Sequence, residues 1–253
     1  MSKAEPPPTP LADIVAEAER LLDAARSNDV PVRLIGGLAV YFHSEEIPPP
    51  LARSYDDIDV ATTKGASRSA GQLFSALGYE PSKEFNALNG SRRLLFFDTR
   101  NERKLDVFVD AFELCHTIPI TARLALDERT IPLAELLLTK LQVVELTEKD
   151  LRDIVTLLHR HVVGAHDDDV INGDFIAELT ADDWGLWRTV KLNVERVHEQ
   201  IGSLSLDAGA NERVLERAGV LWERIEREPK TRKWRLRDRV GDRKRWYELP
   251  DEV

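Results

Sequence analysis

Cysteine is almost missing from this chain of 253 residues. Cys115 stands alone, so no disulfide can staple the fold, and a reducing cytoplasmic home is expected. Long apolar runs are missing too. With a mean hydropathy of −0.34 and no stretch of about 18 apolar residues, a membrane-spanning helix is excluded. The opening residues MSKAEPPPTP lack the apolar segment of a secretory signal. No phosphate-binding loop pattern, no Ser/His/Asp or Cys/His arrangement and no internal repeat is present. Positive charge is in deficit, with 35 basic against 45 acidic residues and a net charge of −10. Such a chain should repel nucleic acid unless its positive charge is gathered in one place.

It is gathered. Residues 229–245 (PKTRKWRLRDRVGDRKR) hold nine basic and two acidic residues, a local +7 that leaves −17 for the rest. Trp234 and Trp246 lie within and beside this run, which suits either stacking on bases in RNA or a tail docked on the acidic body. All five tryptophans lie beyond residue 180.

Residues 1–8 read as a disordered lead. Thr9 with Pro10 signals a helix start, followed by a buried stripe from Leu11 to Ala25 that ends near 27–29. Val32–Gly37 reads as a short strand entering two glycines, after which LAVYFHS begins a helix. The proline run 48–50 marks a loop, DDIDVAT a strand, and 66–77 a helix capped by Gly78. Strands are expected near 93–98 and 104–112. Asn89-Gly90 suggests a hairpin preceded by a strand at 84–88, and a further short pair is expected at 117–120 and 129–132. From Leu133 the pattern turns helical, with 3.6-residue periodicity in LAELLLTKLQVVEL and EKDLRDIVTLLHRHV and further helices near 173–180, 182–202 and 208–228. The expected class is α+β, a small mixed sheet flanked by helices and followed by a helical domain. The expected divisions are 9–132, 133–228 and a basic tail at 229–253.

Three features recur in order along the first half: Gly36-Gly37 after a strand, Asp57-Ile58-Asp59 on a strand, and Asp106 on a later one. Side chains two apart on a strand share a face, so Asp57 and Asp59 can grip one divalent cation, with Asp106 completing the set from a neighbouring strand. Oxygen-only ligands favour Mg²⁺ or Mn²⁺, and paired glycines let backbone approach a triphosphate. Asp110 shares the strand with Asp106, which is preferred because it stands earlier in the apolar run. Arg53 suits either a phosphate or a pair with Asp56, and Lys140 either a phosphate or a snorkelling surface position. His159, His161 and His166 with Asp167 to Asp169 read as a solvated polar loop, and Cys115 as a small buried side chain.

On IGGLAV (35–40), RSYDDIDV (53–60), KLDVFVDAF (104–112) and LLLTKLQVVELTEKDLRDI (136–154), the chain resembles the nucleotidyltransferase superfamily that includes DNA polymerase beta, within it the AbiEii-type nucleotidyltransferase-like toxins. The resemblance covers about residues 30–160. It implies that Gly36 and Gly37 hold nucleotide phosphates, that Asp57, Asp59 and Asp106 ligate Mg²⁺ or Mn²⁺, that Lys140 contacts the phosphates, and that Asp153 lies near the active centre. The activity implied is metal-dependent transfer of an NMP from an NTP to an acceptor, an RNA end or a protein hydroxyl, by the toxin of a toxin–antitoxin pair with a cognate antitoxin as partner. Two departures stand out. Tyr55 occupies a position where the family carries Ser or Thr, and Glu145 and Leu146 stand where an arginine commonly follows the helix lysine. They motivate two alternatives: a nucleotide-binding regulatory protein without turnover, or a small-molecule nucleotidyltransferase of the antibiotic-modifying kind.

Overall fold

The computed structural model describes residues 8–44 and 46–248. Most of the expected lead (1–7) and the last five residues of the expected tail lie outside the described residues. The chain divides into two compact units. The first comprises residues up to Phe42, Ser54–Ala111 and Pro119–Ile131; the second takes His43–Arg53, Phe112–Ile118 and everything from Pro132. None of the described helices is long and apolar enough to cross a membrane. The class is α+β.

The first unit is a five-stranded mixed sheet with helices. In chain order its elements are α1 (Ile14–Ser27), β1 (Val32–Ile35), α2 (Gly36–Phe42), β2 (Ile58–Thr62), α3 (Ser67–Ala76), β3 (Glu80–Pro81), α4 (Lys83–Asn89), β4 (Arg93–Asp98) and β5 (Arg103–Val109). The strand order is β1-β2-β5-β4-β3, with β2 and β5 parallel and the other neighbours antiparallel. Apolar residues of period two on β1, β2 and β5 supply its centre: Leu34, Ile58, Val60, Leu105 and Val107 are all fully buried. Phe74 of α3 meets Phe96 of β4 edge to face, with ring centroids 5.8 Å apart.

Two local expectations for this unit are corrected. The N-cap of α1 is Asp13, not Thr9: its carboxylate accepts from the Ala16 amide at 2.8 Å, and Leu11 is left exposed. The amide of Leu11 instead donates to the buried Glu17 carboxylate, which also accepts from the Tyr79 hydroxyl. Asn89-Gly90 makes no hairpin, because residues 83–89 are helical. The Asn86 side chain takes the place of a strand there, accepting from the Leu95 amide at 2.7 Å and donating to the Leu95 carbonyl at 3.1 Å. One bifunctional amide satisfies the backbone that a strand would otherwise pair.

The chain passes through the short ribbon of β6 (Ala111–Glu113) and β7 (Thr117–Pro119). The expected partner of β7 at 129–132 is instead a single bridge, Thr130 to Leu34. The second unit then stacks α5 (Leu133–Leu141), α6 (Glu148–Arg160), the two-residue strands β8 (Val163–Gly164) and β9 (Ile171–Asn172), α7 (Gly173–Asp182), α8 (Trp184–Gln200), α9 (Ala208–Arg227) and α10 (Arg232–Asp238). A Thr147/Asp150 capping box starts α6, and α5 is buried on nearly every side. Pro49–Leu51 forms a single 3-10 turn, since proline suits a first helical position though not a helix interior. Cys115 is buried, as expected, and its carbonyl accepts from the Glu248 amide.

Residues 229–248 are no loose tail. Trp234 is buried against Trp187, with ring centroids 5.1 Å apart, and Trp187 in turn meets Trp184 and Trp222 while Trp184 meets Trp246. Trp184 donates its indole N–H to Asp238 at 2.7 Å and Trp246 donates to the Thr189 hydroxyl at 3.1 Å. Of the two tryptophans once open to base stacking, Trp234 is buried and Trp246 is half-buried with its indole N–H taken by Thr189. His161, expected in a solvated loop, is buried: Nε2 meets the His43 carbonyl at 3.0 Å and Nδ1 lies 3.1 Å from Asp169.

Candidate nucleotide site

The sheet register builds the first unit's site. Asp59 pairs with Asp106 across the parallel β2–β5 ladder, so both carboxylates leave the sheet on the same face, on strands about 4.8 Å apart. Ile58 and Val60, the neighbours of Asp59, are fully buried on the opposite face. On the other side of Asp59 stands Ile35, the last residue of β1, which delivers Gly36 against it. Gly36 has φ +71°, and a Cβ there would lie 2.4 Å from Oδ2 of Asp59. Backbone conformation and space both demand glycine at this point. Gly37 follows as the second residue of α2.

Asp57 is exposed one residue before β2, and its Oδ1 accepts from the Lys104 amide at 3.2 Å. Asp110, the alternative to Asp106, has φ +64° and accepts from the Lys64 amide, a turn-holding role away from the ladder. Sequence reasoning missed Arg93. Leu95 is the cross-strand partner of Asp106, and Arg93 lies two residues along β4 on the same face, within diagonal reach. Its Nε donates to Oδ1 of Asp106 at 2.8 Å, and its guanidinium lies 5.2 Å from the Phe108 ring centroid. Only the strand register could have revealed this partner. Tyr55, the departure from the family pattern, packs edge to face on Tyr41 at 5.8 Å.

Among the described residues, no three His, Cys, Asp or Glu side chains are gathered so as to hold a metal ion. The donor set nevertheless fits Mg²⁺ in kind. That ion is usually held by one or two carboxylates, with water and substrate phosphate completing its shell, and Asp59 and Asp106 are two carboxylates side by side.

The remaining predicted residues belong to the second unit and come together there. Asp153 of α6 is buried and receives a two-pronged pair from Arg53, at 2.9 and 2.8 Å. Lys140 of α5 lies 2.8 Å from the same carboxylate and 3.5 Å from Asp150. Burial pulls the Lys140 pKa down, but Asp153 and Asp150 outweigh it and hold the ammonium above the ordinary lysine value. Lys140 is therefore no snorkelling lysine: its side chain is 14% exposed and fixed by two carboxylates. Arg53 has a bidentate partner that neither alternative for it foresaw.

No family model matches this chain, and no curated protein matches it. Similar solved structures exist. They include ANT(2'')-Ia in complex with adenylyl-2''-tobramycin, at 17% identity over 56% of this chain and 86% of that one, TM-score 0.39. A solution structure of the antibiotic-resistance factor ANT(2'')-Ia is 16% identical over 66% of this chain and 93% of that one, TM-score 0.41. An antigenic nucleotidyltransferase-like protein from Paracoccidioides brasiliensis is 14% identical over 81% and 95%, TM-score 0.44. Likeness at this level carries no argument about chemistry, which rests on the chain's own residues.

Proposed function

We propose that the chain is a nucleotidyltransferase that moves an NMP from an NTP to an acceptor hydroxyl, using the sheet face of the first unit. The observation that supports this most is the in-register pair Asp59 and Asp106, with Gly36 backbone against Asp59. Asp59 and Asp106 would hold Mg²⁺ or Mn²⁺, with Asp57 contributing from the strand's start. The cation, when bound, would neutralise phosphate charge and favour the alkoxide form of the acceptor. Gly36 and Gly37 give the phosphates a side-chain-free approach, and Arg93 holds the Asp106 carboxylate in place with one N–H while its other N–H groups remain suited to a phosphate oxygen. The phosphate role that the resemblance gives Lys140 is proposed for the second unit on its own terms, where Lys140 and Arg53 bring two positive charges to the Asp153 carboxylate.

The acceptor is proposed as an RNA end or a protein hydroxyl, and growth arrest on expression, relieved by a cognate antitoxin, would place the activity in a toxin–antitoxin pair. Incubation with each labelled NTP, Mg²⁺ and total RNA or cell lysate tests the reading. Labelled product should form with the native chain and vanish with Asp59→Asn or Asp106→Asn at unchanged fold; undiminished labelling in those variants would overturn it.

One observation favours a second reading, a nucleotide-binding regulator: Arg93 already neutralises Asp106. Calorimetry with Mg²⁺ and NTP beside a pyrophosphate assay separates the two. Binding without pyrophosphate release supports the regulator.

A further inference from the structure

The segment that the tryptophans hold down is two-faced. On α10 the side chains of Trp234, Arg237 and Asp238 turn inward: Trp234 is buried, the Arg237 guanidinium lies 4.5 Å from the Trp184 ring centroid, and Asp238 accepts from Trp184. Helical spacing sends Arg232, Arg235, Leu236 and Arg239 to the opposite side, at i, i+3, i+4 and i+7. All four are exposed, and so are Val240, Arg243 and Lys244 just beyond.

Both acids of the run make their contacts away from this face. Asp238 is committed to Trp184, and Asp242 is paired with Arg188 through two contacts at 3.1 Å. Among the described residues, no carboxylate pairs with Arg232, Arg235, Arg239 or Lys244. Folding thus turns a mixed sequence into an outward row of one sign, on a chain whose remainder carries −17. A row of arginines without a counter-charge fits a ligand with regularly repeated negative charge, and the guanidinium fork matches phosphate. Leu236 is 61% exposed and Val240 40% exposed among these cations. Apolar side chains between phosphate-binding arginines suit unstacked bases, whose faces a duplex hides.

We propose that the outer face of α10 and the turn after it is a docking surface for single-stranded nucleic acid, gripped through its phosphates by Arg232, Arg235 and Arg239 and through base faces by Leu236. The tryptophans hold the surface in shape and touch no base. This inference stands independently of the nucleotidyl-transfer reading, since it concerns a different surface.

The test is fluorescence anisotropy of a labelled oligouridylate of about twenty nucleotides with the full chain, between about 50 and 200 mM salt. Binding should weaken steeply with salt. The triple variant Arg232→Ser, Arg235→Ser, Arg239→Ser should lose about two from the log–log slope and bind about a hundredfold more weakly at 0.1 M salt, at about 0.7 per phosphate contact. The matching triple lysine variant should retain most of the binding, and Leu236→Ser should weaken it several-fold without altering the slope. Unchanged tryptophan emission reports that the variants keep the fold. Absence of binding at the lowest salt, or a serine triple variant equal to the native chain, overturns the proposal. So does stronger binding of a duplex or of anionic phospholipid vesicles, or salt-sensitive self-association in place of RNA binding.

Discussion

A methyl group placed on Gly36 would stand 2.4 Å from Oδ2 of Asp59, closer than any real contact. The first residue after β1 is therefore fitted to the Asp59 carboxylate of β2 and cannot gain a side chain while that carboxylate stays in place. Gly36→Ala also meets a φ of +71°, which costs an L-residue about 1–2 kcal/mol before any clash. We expect Gly36→Ala to lower stability by about 2–3 kcal/mol in denaturant titrations and to abolish Mg²⁺–NTP binding. Gly36→Ala with native nucleotide affinity would show that Asp59 can move aside and that the glycine holds nothing in place.

The Asp153 carboxylate balances two buried cations, Arg53 and Lys140. Removing it by Asp153→Ala leaves both without that partner and should cost about 3–5 kcal/mol, whereas Lys140→Met, which removes one charge and keeps the stem, should cost much less. Lys140 has its folded pKa raised, so its contribution is fully present below the unfolded value of about 10.4 and fades as pH climbs through the higher folded one. Stability of the native chain should fall on that alkaline limb, and Lys140→Met should flatten it. Parallel alkaline limbs in the two proteins would contradict this pairing.

His116 is buried in the second unit, where burial pushes its pKa down to about 4. Its Nε2 lies 2.8 Å from the Thr189 hydroxyl, which also accepts from Trp246 and can give its own proton to an unprotonated imidazole. The unfolded histidine takes up a proton near pH 6.5 while the folded one does not, so stability is lost as pH falls from about 6.5 towards 4. The His116 share of the loss should approach about 3 kcal/mol and should be absent in His116→Phe, leaving the part due to His159 and His161, whose pKa values burial also lowers. Urea titrations across this range check it.

Trp234 anchors α10, and among the described residues its buried indole N–H has no hydrogen-bond partner. Trp234→Ala should cost about 3 kcal/mol or more through the cavity it leaves. Trp234→Phe, which deletes the orphaned donor along with part of the ring, should stay within about 1 kcal/mol of the native chain. Equal losses in both variants, measured by thermal unfolding, would mean that the indole N–H has a partner in solution.

The sequence alone determined the features set by local chemistry. Apolar runs joined by a polar turn marked β4 and β5, 3.6-residue periodicity marked α5 and α6, and the motif order put Asp59 and Asp106 forward as strand carboxylates, because these signals depend on near neighbours in the chain. Tertiary structure decided whatever depends on partners far along it. Parallel register chose Asp106 to stand beside Asp59 and brought Arg93 to it from a strand that no motif had marked. Asn86 replaced an expected strand because a side-chain amide can satisfy a backbone pair. Arg53 met Asp153 a hundred residues away, and a run that read as tail or RNA stacker became a helix with its tryptophans inward and its arginines outward. Charge sums are a property of sequence, but which charges are cancelled is a property of contact, and contact is made only when the chain folds.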